Sequence, residues 1–265
     1  MNSSIRFCYD KAMISDFKSP MDGLVPLAMS SLDILLDDGP LIALNKPAGL
    51  LTQGVPQAQP SLESQVKAYL KSGMGKTGNV YLGVPHRLDR PVSGVVIFAK
   101  NSKAAARLAE QFRQRSIRKI YLAVTQTVPV PAEGTMVDWL LKDAEIARVT
   151  VVPKDTANAK QAILDYEVIA VKNQQALVQI ELHTGRMHQI RVQFASRGWP
   201  ILGDRQYGAK LSAEDEANYD RNSSPVALHA WQLHLKHPVR YDPIRIQAPL
   251  PAHWSPYGFV LPKVR

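Results

Sequence analysis

The chain has 265 residues, 45% of them hydrophobic, a formal charge of +9 and a single cysteine. That is ample apolar material for a packed core, and a lone Cys8 excludes both a disulfide framework and thiolate zinc sites, as suits a reducing cytoplasm. No window reaches the roughly 20 apolar residues of a membrane span, Asp10 and Asp16 interrupt the stretch that a signal peptide keeps apolar, and the surplus of Lys and Arg suits a polyanionic partner without separating RNA from DNA.

Residues 1–28 show no sustained period and are expected to form an N-terminal extension, with one folded domain over 29–265. Leu41-Ile42-Ala43-Leu44 reads as a buried strand and is broken by Lys46-Pro47-Ala48-Gly49, a turn that would display Lys46. After Pro60, Ser61 can cap a helix that carries Leu62, Val66, Tyr69 and Leu70 on one face. The Gly75-Lys76-Thr77 run is no phosphate loop: the glycine required five residues earlier is Leu70, and the run follows a helix instead of opening one. His86-Arg87-Leu88-Asp89-Arg90-Pro91-Val92-Ser93-Gly94 then leads into Val95–Ala99, a strand buried on both faces. Asn101 can cap a helix that turns Ala104, Leu108 and Phe112 inward, and Arg107, Arg113, Arg115, Arg118 and Lys119 add positive charge in and beyond it. From Ile120 the period is two, and further strands are expected at Arg148–Val152, Ala162–Val171, Ala176–His183, Val226–Leu235 and Arg245–Ala248. A helix is expected over Met187–Ser196 and a surface loop over Ser212–Ser224. The order predicts an α+β domain, a mostly antiparallel mixed sheet with flanking helices.

Asp89 is the leading candidate nucleophile or base, because a carboxylate set between Arg87 and Arg90 suits an ionised acid. An isolated Arg-x-Asp is ordinarily a surface ion pair, so the rest of the chain must decide. Leu182-His183-Thr184-Gly185-Arg186-Met187-His188-Gln189-Ile190-Arg191 is a strand that turns into a helix. Arg186 at its start offers a fork for a carboxylate and is the expected partner of Asp89, while His188 and Arg191, three apart, suit phosphate contacts. His183 with His188 and His229 with His234 lack the spacing and carboxylate of a zinc helix, so no metal is expected. No glycine-rich loop or DFG element supports a kinase reading of His86–Asp89. Tyr121 could stack on a base or exchange a proton, although a strand tyrosine is more often a core residue.

These stretches together resemble the RluA-type RNA pseudouridine synthases. Asn45–Leu50, His86–Lys100, Lys119-Ile120-Tyr121, His183–Gln193, Pro200–Gly208 and Leu228-His229-Ala230 occur in that family's order, over about residues 40 to 236. The resemblance implies the pseudouridine synthase fold with a central RNA-binding cleft, Asp89 as catalytic aspartate, Tyr121 as active-site tyrosine and Arg186 as the aspartate's partner. It further implies that Arg87 enters the RNA beside a flipped uridine and that Ile190 lines the uracil pocket. Lys46, Lys119, His188 and Arg191 complete the expected substrate contacts. Val92 and Met187 stand where threonine is common, a departure that bears on substrate preference. Expected with it are an RNA partner, either tRNA or rRNA, no cofactor, and a monomer. The rival reading is a catalytically silent RNA-binding or chaperone module on the same fold, which would need none of Asp89, Tyr121 and Arg186.

Overall fold

The computed structural model describes residues 32–54, 60–73, 78–143, 145–220 and 224–261. The chain divides into two compact units, Met1–Leu32 and Asp33–Arg265, and every element below belongs to the second. The extension expected over 1–28 and the Gly75–Thr77 run lie outside the described residues.

Two strongly apolar runs, Leu41–Lys46 (β2) and Ser93–Ala99 (β3), pair antiparallel from Leu41↔Ala99 to Lys46↔Gly94, with Ile34–Asp38 (β1) on the outer side of β2. Leu62–Gly73 (α1) buries Leu62, Val66 and Leu70 as the helical spacing predicts, with Ser61 Oγ accepting the Ser64 N–H; Tyr69, expected on the same face, is exposed instead. Ser102–Arg113 (α2) starts at Asn101, whose Oδ1 accepts the Ala104 N–H at 2.9 Å, and lays Ala104 and Leu108 on Leu41, Val95 and Ile97.

The rest of the sheet comprises Arg118–Thr125 (β4), Glu133–Asp143 (β5), Arg148–Val152 (β6), Lys160–Lys172 (β7), Gln175–Leu182 (β8), Leu228–Lys236 (β9) and Pro243–Gln247 (β10). All ten strands form one sheet in the order β1-β2-β3-β9-β4-β8-β7-β5-β6, with β10 beside β9. The two halves meet at a short parallel seam, Ser93↔His229 and Gly94↔Ala230, while the other strand pairings are antiparallel. Gly94 is required there: its φ is +117°, and a Cβ would stand 2.3 Å from the Ala230 carbonyl oxygen.

Three elements depart from expectation. Strand β5 is not readable in the sequence, since Met136 and Leu140 are its sole buried residues and leave no alternation. The helix expected from Met187 begins two residues later, as Gln189–Ala195 (α3), because His188 takes a left-handed conformation with φ 51°. A five-residue helix, Ala213–Ala217 (α4), interrupts the loop expected over Ser212–Ser224.

Candidate active site

The backbone around Asp89 is gripped on both sides by residues 46–52. On one side, Thr52 Oγ1 accepts the Leu88 N–H at 3.1 Å and donates to the Leu88 carbonyl at 3.0 Å. On the other, the Arg90 carbonyl accepts from Gly49 N at 2.8 Å and from Lys46 Nζ at 3.1 Å, while Arg90 Nε donates to the Gly49 carbonyl at 2.8 Å. Upstream, the His86 ring stacks on Phe112 with centroids 4.7 Å apart and its Nε2 accepts the Ile97 N–H at 3.0 Å. Burial, with Lys119 nearby, pushes His86 down to about 3, so it anchors the loop as a neutral imidazole.

Lys46 therefore corrects an expectation. It is fully buried instead of displayed, and Nζ donates to the carbonyls of Pro47 and Leu50, each at 2.8 Å, as well as to Arg90. A neutral amine has two N–H bonds, so three acceptors specify the ammonium form; Asp89 also favours it, against a burial penalty that lowers the pKa to about 7. Lys46 shapes the loop from within and cannot reach a substrate. Lys119 is not brought to Asp89 either: its charge is felt by His86 and Arg115, and burial followed by Arg115 lowers its pKa.

The side chain of Asp89 is held by a different arginine from the one expected. Arg191 Nη1 lies 3.4 Å from Asp89 Oδ2, whereas Arg186 Nε donates to the Gln161 carbonyl at 3.0 Å. The late start of α3 is the reason. Arg186 stays ahead of the helix, its N–H donating to Gln189 Oε1 at 3.0 Å, and Arg191 occupies the first turn facing Asp89. Arg191 is also not the phosphate contact expected of it. Its side chain is 4% exposed, with Nε and Nη2 forking onto Asp204 at 2.7 and 2.9 Å and Nη2 reaching Gln206 at 3.0 Å. Burial would lower the Arg191 pKa, but the Asp204 bonds, Asp204's charge and Asp89 outweigh it and raise it. The helical face expected to be shared by His188 and Arg191 does not form, since His188 precedes the helix; its Nε2 lies 3.8 Å from Asp89 Oδ2.

Asp89 stands where two cavities meet. The smaller, about 110 Å³, is lined by Asp89, Tyr121, Ile190, Arg186, Val92 and Leu228 among others, a size comparable with the roughly 150 Å³ that admits one benzene ring. Tyr121 reaches it from β4, and burial, then the charge of Asp89, pushes its hydroxyl well above the usual range, so it is a phenol at neutral pH. The larger, about 340 Å³, shares Asp89 and Arg87 with it and is otherwise lined by Gln53, Met187, Gln206 and Tyr219 among others. Beyond Arg186 runs a groove of about 550 Å³ lined by Lys142, Lys160, Gly185 and Met187. Among the described residues neither lysine forms an ion pair, unlike Lys67, Lys100, Arg118 and Arg240 elsewhere on the surface. Asp204 and Tyr207, which complete the setting of Arg191, lie in the Pro200–Gly208 stretch that carries part of the family resemblance; nothing else in the sequence marks their role.

An α+β sheet that brings Asp89, Tyr121 and a basic rim together at the junction of its halves fits a pseudouridine synthase. Residues 40–196 match the family model described as RNA pseudouridylate synthase. A ribosomal large subunit pseudouridine synthase D of Xylella fastidiosa is 35% identical, over 83% of this chain and 66% of its own length. A tRNA pseudouridine synthase C of Haemophilus ducreyi is 34% identical, over 84% of this chain and 93% of its own. The solved structure of human RNA pseudouridylate synthase domain containing 4 is similar with a TM-score of 0.69 at 28% identity, covering 84% of this chain and 90% of that one. The chain belongs to the RluA-type RNA pseudouridine synthases, isomerases that modify RNA.

Proposed function

We propose that residues 29–265 act as a monomeric, cofactor-free catalytic domain that converts a uridine of tRNA or rRNA to pseudouridine, with Asp89 as the catalytic carboxylate. The observation that carries this reading is that Asp89, Tyr121 and Ile190, from three separate elements, face one cavity the size of a single ring. The reaction detaches uracil from C1′ and rejoins it through C5, so the base must be flipped from its stack and kept enclosed while it turns. Tyr121 and Ile190 are suited to bracket it. Two routes fit one carboxylate: attack of Asp89 on C1′, or removal of the C2′ proton to promote departure of the base. The C5 proton leaves last, to water or through Tyr121. As a phenol, Tyr121 can relay that proton only by passing its own on.

Arg87 is exposed and lines both cavities at Asp89, which suits it to fill the gap left by the flipped nucleotide. Arg186, Lys142 and Lys160 suit the phosphates of neighbouring nucleotides. The relatives named above divide between a ribosomal and a tRNA enzyme, which supports both RNA classes alike. Asp89→Ala should release no tritium from RNA labelled at uracil C5 while still binding that RNA, because the phosphate contacts lie elsewhere. Undiminished release would remove Asp89 from the chemistry.

A further inference from the structure

Two side chains face the same oxygen of Asp89. Arg191 Nη1 stands 3.4 Å and His188 Nε2 3.8 Å from Oδ2, and among the described residues no hydrogen bond reaches Oδ1. His188 is set apart by its backbone too. It is a non-glycine residue at φ 51°, a conformation that costs free energy and persists where the surroundings enforce it.

Tyr207 is among those surroundings. Its hydroxyl oxygen lies 3.0 Å from Val149 N and 2.8 Å from His188 Nδ1. The amide can only donate, so the phenol oxygen accepts from it, and the phenol's own proton is directed to Nδ1. A ring nitrogen that accepts carries no hydrogen, which places the hydrogen of a neutral imidazole on Nε2, toward Asp89. A protonated ring would also present Nε2–H. The opposite tautomer would turn a lone pair on the carboxylate and leave the phenol proton without this acceptor. Burial pushes the Tyr207 hydroxyl upward, so it keeps the proton it donates. The guanidinium carbons of Arg191 and Arg148 lie 5.0 and 5.8 Å from its ring centroid.

We infer that His188 is a positioning residue for Asp89: Tyr207 fixes its Nε2–H tautomer, and that N–H with Arg191 holds Oδ2, so that Oδ1 is the oxygen presented to the ribose. The inference rests on the catalytic reading of Asp89. At 3.8 Å the N–H is short of a hydrogen bond, and such contacts tighten when substrate fills the site.

Two-bond ¹H–¹⁵N spectra of the full chain labelled with ¹⁵N-histidine test the tautomer without turnover. The expected pattern is a bare Nδ1 and a protonated Nε2 for His188 in the wild type, and a tautomer mixture in Tyr207→Phe, which keeps the ring against Arg191. A bare Nε2 in the wild type overturns the inference. Tritium release tests the consequence. His188→Gln can place an amide N–H where Nε2 was and should keep most of kcat. His188→Asn reaches no further than the place of Nδ1, yet tolerates the left-handed backbone. It should lose roughly tenfold to a hundredfold in kcat with KM unchanged, the scale of one hydrogen bond to a charged group. Equal losses in the two variants, or none in His188→Asn, overturn the inference. Retained release by Asp89→Ala would instead overturn the catalytic reading, whatever the tautomer.

Discussion

Asp89 is fixed by two regions built on opposite chemistry. Residues 46–52 hold its backbone neighbours through carbonyls, amides and one hydroxyl, with the single buried charge of Lys46 spent entirely on carbonyls. Residues 188–207 hold its side chain through a buried ion pair and a hydrogen-bonded imidazole. The first region decides where the residue sits in space, and the second decides which way its carboxylate faces. Damage to the two should therefore differ in kind.

The sharpest break is Arg191→Met. It leaves Asp204, 1% exposed, as an unpaired buried carboxylate, and removing one partner of such a pair costs about 3–5 kcal/mol. Urea denaturation should show that loss, and tritium release should be absent even where the variant is folded. Wild-type kcat in the folded variant would mean that Asp89 needs no clamp. Thr52→Val preserves shape but leaves the Leu88 N–H and C=O without their partner, a cost of about 1–3 kcal/mol for a buried unsatisfied group. Its urea midpoint should fall while kcat per folded molecule falls far less than in Arg191→Met; equal loss of kcat would erase the distinction between the regions. The smallest change is expected of Lys142→Gln combined with Lys160→Gln, which touches neither region. Stability should stay within about 0.5 kcal/mol. KM for RNA should rise severalfold, and the slope of log affinity against log salt should become shallower by about 1.4–1.8, two phosphates' worth. An unchanged slope would take the groove off the RNA path.

The misread role of the first region and the partly read role of the second have the same origin. Apolar runs are legible because burial acts on a residue's own chemistry: β2, β3, α2, and β6 over Arg148–Val152 stand within a residue or two of where pattern places them. Asp89, Tyr121 and Ile190 were legible as a set through the family order of their motifs, and they do share a cavity. The roles of Lys46 and Arg186 were not legible. A lysine in a Pro-Gly turn looks displayed, and what buries it is a carbonyl cage whose third member, Arg90, lies 44 residues away. Which arginine faces Asp89 depends on where a helix begins, and a two-residue delay at His188 exchanges one for the other. Pattern reasoning sees neither a distant carbonyl acceptor nor a left-handed dihedral in a histidine.

The seam at Gly94 carries a consequence for motion. Gly94, Ala230 and Tyr121 lie in one row across the sheet, the first pair parallel and the second antiparallel. Beside those two residue pairs the halves share an apolar core in which Leu41, Val95 and Ile97 cluster with Leu233, Leu235 and Ile246, so displacement of one half against the other is smallest close to the join. Asp89 precedes the seam by four residues, and Leu228, which lines the cavity beside it, precedes His229 by one. Asp89 and Tyr121 thus sit next to the join, where relative motion of the halves would change their spacing least.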